Sequence, residues 1–222
     1  MQRSEWEDIP FNMRVRNLCQ PCNNEWCNDI ELEAKPLLIP MLYARPVTLD
    51  AAAQTSLAIW ATKTMLMLQM THQGNQRSIE QDAYGWFRKH RWPLSNEQIW
   101  IARYDDEGDW PVSYRHYGML INKKDSIPHP PHHVNAHIAS ISIGHLVFLL
   151  FGHVIKDRPS IRIKAGTPAA ATLRAIWPAL GDSVDFPPPG LVEGDSGLDA
   201  MTGSIGDVGA FHDGTTQVPR KP

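Results

Sequence analysis

Ile138-Ala139-Ser140-Ile141-Ser142-Ile143 carries the period-two pattern of a strand, and Gly144 punctuates it before the apolar run from His145 to Ile155. The first segment turns alternate side chains to opposite faces, and the second reads as a strand buried more completely. Toward the N-terminus, Gln98 to Tyr104 and Val112 to Ile121 are rich in aromatic and branched residues and predict two more strands. They are joined across Asp105 to Trp110, with Gly108 at the bend, and Ser160 to Ile163 adds a short candidate strand. Before residue 97 the grammar is helical. Asp50 to Met70 repeats Ala53, Leu57, Trp60, Ala61, Thr64 and Leu68 at helical spacing, with Thr48 or Asp50 able to cap the start. Met65-Leu66-Met67-Leu68 is apolar nearly all round, the mark of a central packed helix. Gly74 and Asn75 end it, and Ser78-x-x-Gln81 predicts a capped second helix running to about His90 and closed by Pro93. The chain therefore predicts an α+β fold, with a helical first half and an antiparallel β-sheet in the second.

The flanks divide the chain further. Asn28 to Ala34 is rich in helix formers, and Lys35-Pro36 predicts a break or kink there, followed by a buried bend or short helix around Pro40. Pro187-Pro188-Pro189 leads into an acidic tail rich in Gly, Asp, Ser and Thr. Its few large apolar residues predict disorder over 190–222. The expected organisation is an N-terminal cysteine segment over 1–35, an α+β body over 36–189 with helices near 50–70 and 78–90 and strands within 98–163, and the tail.

With 222 residues, 42% hydrophobic and 20% charged, the composition is that of an ordinary globular domain. A net charge of −3 excludes a protein that coats nucleic acid by charge alone. That total hides an asymmetry. Residues 1–33 carry −4 and residues 182–222 carry −5, so the middle of the chain is +6, with Arg88, Lys89 and Arg91 close together. These three are the candidate nucleic-acid-binding residues; the plainer reading is a solvated helix end, where cations are favoured anyway. With three cysteines no disulfide framework is expected, with Arg3, Glu5, Glu7 and Asp8 ahead of any apolar run no signal peptide is expected, and the longest apolar run is too short to span a bilayer. The expectation is a soluble, cytoplasmic protein that does not enter a membrane.

Chemistry concentrates in Arg16-Asn17-Leu18-Cys19-Gln20-Pro21-Cys22-Asn23-Asn24-Glu25-Trp26. Cysteines two residues apart can place two thiolates on one zinc ion, which is half of a tetrahedral site. Cys27 is a third candidate ligand, unless it points into the following helix.

Asn17-Leu18-Cys19-x-x-Cys22-Asn23 resembles the second half of the HNH endonuclease motif, whose fold is the ββα-metal or treble-clef nuclease. Cys22-Asn23-Asn24-x-Trp26, Leu32-Glu33-x-Lys35-Pro36 and Leu57-Ala58-x-Trp60-x-x-Lys63-Thr64 are similar to a group of uncharacterised bacterial and phage HNH-like proteins, as are Ile176-Trp177-Pro178 and Phe186-Pro187-Pro188-Pro189. The resemblance is patchy over roughly residues 15–190. It implies a partial treble-clef-like zinc knuckle with Cys19 and Cys22 as half of a structural zinc site. Asn17 would hold the hairpin against the catalytic loop, and Asn23 would bind or orient a catalytic Mg or Mn ion. The implied partner is DNA and the implied chemistry phosphodiester hydrolysis, with an upstream His as general base.

This chain departs from that pattern: residues 1–16 contain neither His nor Cys. The general base and the first zinc-ligand pair are thus missing, so the chain reads as a catalytically incomplete relative, at most nucleic-acid binding. The alternatives are an active endonuclease whose reading frame begins upstream, and a structural or partner-binding protein that uses the α+β body.

Other clusters are weaker. His129, His132, His133 and His137 lie on a proline-rich connection and read as loop residues rather than metal ligands, and His145 and His153 as hydrogen-bonded core or edge residues. Trp86, Trp92 and Trp100 lie beside the basic stretch and could stack on bases, though most tryptophans are packed in cores. No glycine-rich phosphate loop and no Gly-x-Ser-x-Gly is present.

Overall fold

Cys19 is itself extended (φ −68°, ψ 149°) and caps a single helical turn, α1 (Gln20–Cys22). Pro21 falls at its start, where a missing N–H leaves no bond unmade. In this computed structural model residues 19–70, 79, 81–105, 112–119, 136–154, 163 and 168–208 are described. A wider turn, Asn23–Cys27, follows, in which Glu25 leaves helical geometry (φ −99°, ψ −105°) and re-aims the chain into α2 (Asn28–Leu42).

Of the break or kink expected at Lys35-Pro36, the break does not occur. Helix α2 runs through both Pro36 and Pro40. The two prolines are four residues apart and so share a face, and that face is turned from the core, with Leu32 and Pro36 exposed. The carbonyls of Leu32 and Pro36, deprived of intrahelical donors, therefore point where water can satisfy them. Ile30, Ala34, Leu38 and Met41 are buried on the opposite face, and this packing holds the helix together.

The short strand β1 (Val47–Leu49) leads to α3 (Ala51–Gln69), as the periodicity predicts, and Asp50 supplies the cap by accepting the Ala53 N–H at 2.8 Å. Leu57, Ala58, Ala61 and Met65 are fully buried. α4 (Gln81–His90) follows, with Tyr84 and Phe87 as its buried positions. The expected stop at Gly74 and Asn75 and the cap at Ser78 lie outside the described residues.

The expected strands are present as β2 (Gln98–Asp105), β3 (Val112–Met119), β4 (Ala136–Ile143) and β5 (Leu146–His153). Beyond them come α5 (Pro168–Thr172), β6 (Arg174–Trp177), β7 (Val184–Phe186), β8 (Leu191–Glu193) and α6 (Gly194–Val208). The main sheet has the order β3-β4-β5-β2-β6, with β8 also on β2. Its pairings are antiparallel except for β8, which runs parallel to β2. β1 and β7 form a separate antiparallel pair. The mixed α+β class with an antiparallel sheet is thus realised, but β2 and β3, successive in the chain, do not pair with each other. β2 instead pairs with β5, Gln98 opposite Phe151 through Arg103 opposite Leu146, and β3 is the far edge on β4. Gly108, the expected bend, lies outside the described residues, as do residues 160–162 of the short candidate strand.

The sheet is covered on both sides. Ile99, Ile101, Ile141, Phe148 and Leu150 pack with α2, α3 and α4, while Trp100, Tyr104, Ile138, Leu149 and Phe151 form a second core with Leu173, Val192, Leu198 and Met201. Expected disorder from residue 190 is therefore corrected: 191–193 form a strand and 194–208 a helix. Few apolar residues suffice because the sheet already presents an apolar face to them, and Gly197 lets α6 approach closely, since a Cβ there would meet Val192 Cγ1 at 3.2 Å. Residues 209–222 lie outside the described residues. Among those that are described, no helix is long and apolar enough to cross a membrane.

Candidate functional site

The N-terminal turn and the end of α4 meet. Trp26 is buried against Phe87 with ring centroids 6.1 Å apart, and the Arg91 guanidinium lies over the Trp26 ring at 5.9 Å. Arg91 reaches that place because it terminates α4 in the left-handed region (φ 49°), its N–H bonding to Phe87 O at 2.7 Å. Arg88, Lys89 and Arg91 are all exposed. The fold thus brings the candidate nucleic-acid-binding residues beside the candidate metal ligands.

Within the turn, Cys19 Sγ and Cys22 Sγ are 2.7 Å apart, and the Cys22 N–H donates to Cys19 Sγ at 3.3 Å. A thiolate at Cys19 accepts from the Cys22 thiol and then from the Cys22 N–H, and with the nearby Arg88 charge these hold it below the usual thiol range. Cys19 is exposed and Cys22 buried. Cys27 is also buried, among Trp26, Ile30 and their neighbours, and burial pushes its thiol up. Asn23 is exposed and shares a 3.5 Å contact with Asn24 Oδ1. Asn17 lies outside the described residues.

Cys19 and Cys22 together supply two of the four ligands of a tetrahedral structural zinc. Two further ligands are also required, and no group of three or more His, Cys, Asp or Glu side chains able to hold a metal ion occurs among the described residues. Among the described residues, the same finding gives Asn23 no companions of the kind that Mg or Mn would need.

The remaining candidates separate. Of the three tryptophans near the basic stretch, Trp86 is partly exposed and stacks on His90 at 4.8 Å, Trp92 packs edge-on against Trp177, and Trp100 is buried in the second core. His129, His132 and His133 lie outside the described residues. His137 is buried in β4 with its ring over Gly152, where a Cβ would come within 2.4 Å. Burial, aided by His153, lowers it to about 4. His145 sits on the β4–β5 turn, its ring 3.1 Å from Tyr104 O and its N–H on Leu42 O.

Sequence reasoning missed buried polar side chains around α3, toward α2 on one side and toward the sheet on another. Lys63 is only 5% exposed and pairs with Glu31 of α2, which also accepts the Trp60 indole N–H at 2.7 Å. Glu97 is fully buried and pushed up to about 7 by burial. Its place two residues before Ile99, on the same face as Ile99 and Ile101, was the available signal. Comparison with protein-family models, curated proteins and solved structures gives no match for this chain.

Proposed function

We propose that this chain is a nucleic-acid-binding protein of HNH-like descent whose nuclease centre is incomplete. The observation that carries this reading is the placement of exposed Arg88, Lys89 and Arg91 beside the Cys19–Trp26 turn, with partly exposed Trp86 on the same helix end. Cations contact phosphates without sequence preference, and an exposed indole offers a face to an unpaired base. The treble-clef-like knuckle and the Mg or Mn of the resemblance belong to this reading only in a polypeptide that supplies the missing base and ligands. The cytoplasm is the location that accords with it.

Fluorescence anisotropy with labelled duplex and single-stranded DNA tests the proposal. Binding is expected to weaken with salt, with a slope of about −0.9 per phosphate contact on duplex DNA, and to fall at least about tenfold when all three basic residues become Ala. Absence of binding at low salt overturns it. Plasmid cleavage with Mg²⁺ or Mn²⁺ that tracks the protein through purification would favour an intact nuclease instead.

A partner-binding role is the second reading. It is favoured by the outer face of α2, where Leu32, Ile39 and Tyr43 are all about half exposed or more.

A further inference from the structure

We propose that Cys19 and Cys22 form a thiol–disulfide exchange site, a function separate from nucleic-acid binding. Three observations carry it. The two sulfurs adjoin on one helical turn, where the Cys22 N–H donates to Cys19 Sγ at 3.3 Å. Their exposures differ in the sense that exchange requires, with Cys19 open to a reactant and Cys22 sealed beneath it. The extended backbone of Cys19 turns its side chain back over the first helical turn, so closing the pair to a bond of about 2.05 Å needs little movement of the chain. Cys27 is buried in the core and takes no role.

The substrate class is a disulfide, of either a small thiol or another protein. The Cys19 thiolate attacks one sulfur of the disulfide, forms a mixed disulfide and releases one thiolate, which takes up the proton that Cys19 lost. Cys22 then gives up its proton, attacks the Cys19 sulfur and expels the second thiolate, which that proton neutralises. Two thiols of the protein are oxidised to one disulfide, and the incoming disulfide is reduced to two thiols. The reverse sequence restores the dithiol.

The full chain, equilibrated in mixtures of reduced and oxidised glutathione, quenched with acid, alkylated and mapped by mass spectrometry, tests the proposal. The expected product has lost two hydrogens, with the new bond between Cys19 and Cys22 and Cys27 alkylated as a free thiol after denaturation. The ratio of dithiol to this disulfide product rises in proportion to the squared concentration of reduced glutathione divided by the concentration of oxidised glutathione, as a two-electron couple does. In Cys22→Ser the glutathione adduct accumulates on Cys19, whereas Cys19→Ser forms an adduct on Cys22 about tenfold more slowly or less. Cys19 and Cys22 alkylated throughout, or a wild-type adduct on Cys19 that never resolves, overturns the proposal. So does a zinc ion that must be chelated before either thiol reacts.

Discussion

Thr62 Oγ1 donates a 2.6 Å hydrogen bond to Glu97 Oε2 inside the interface between α3 and the sheet. The Leu94 N–H donates to the same oxygen at 3.0 Å, while Oε1 has no partner among the described residues. Two donors do not offset full desolvation, and burial dominates, raising this carboxyl from 4.5 to about 7. Between those values the native state keeps a proton that the unfolded chain releases. Stability therefore falls as pH rises across the window, by at most about 1.4 kcal/mol per pH unit, and levels off above it. Glu97→Gln, which is never charged, lacks that slope. Urea unfolding of both proteins at about pH 5 and about pH 8 is expected to show the variant gaining on the wild type at the higher pH.

Glu31 joins α2 to α3 through Lys63 and Trp60. Removing it leaves a nearly buried ammonium unpaired. Because Glu31 itself is half exposed, Glu31→Gln is expected to cost about 1–2 kcal/mol, less than breaking a fully buried pair. Combining it with Lys63→Met should recover most of that loss, and a double-mutant cycle in urea checks the coupling.

Leu198 is completely buried in the second core. Leu198→Ala is expected to cost about 2–5 kcal/mol. An unchanged urea midpoint would mean that residues 194–208 do not dock as a helix.

Pro36 lies inside a continuous helix on its solvent side. Pro36→Ala restores a donor for the Leu32 carbonyl and is expected to stabilise the protein by about 1–3 kcal/mol. A rise in the thermal midpoint checks it; a chain bent at residue 36 would show no gain.

What the sequence disclosed depended on how locally each feature is encoded. α3 was legible because its cap and its periodic apolar side chains are contiguous, as was the β4–β5 turn at Gly144. The partners of β2 were not, since pairing Ile99 with Leu150 and Trp177 leaves no mark near residue 99. α2 and α6 were misread for a shared reason: local propensity opposed both, and tertiary burial of a few side chains outweighed it. At the site, the Cys19–Cys22 spacing was plain. The meeting of Arg91 with Trp26 was not, because it depends on a left-handed residue ending one helix beside another segment.

On the side away from β5, β2 is covered by β6 over Ile99–Ile101 and by β8 over Arg103–Asp105. Both covering strands come late in the chain. A polypeptide emerging from the ribosome therefore makes the apolar strand β2 long before its second neighbour exists, and until residues 174–193 appear that edge offers unpaired backbone groups to any other extended chain. A fragment ending between β5 and β6 would consequently tend to clump rather than persist as a soluble part. The last segment serves the nascent protein as a built-in guard against adding a strand from a neighbour.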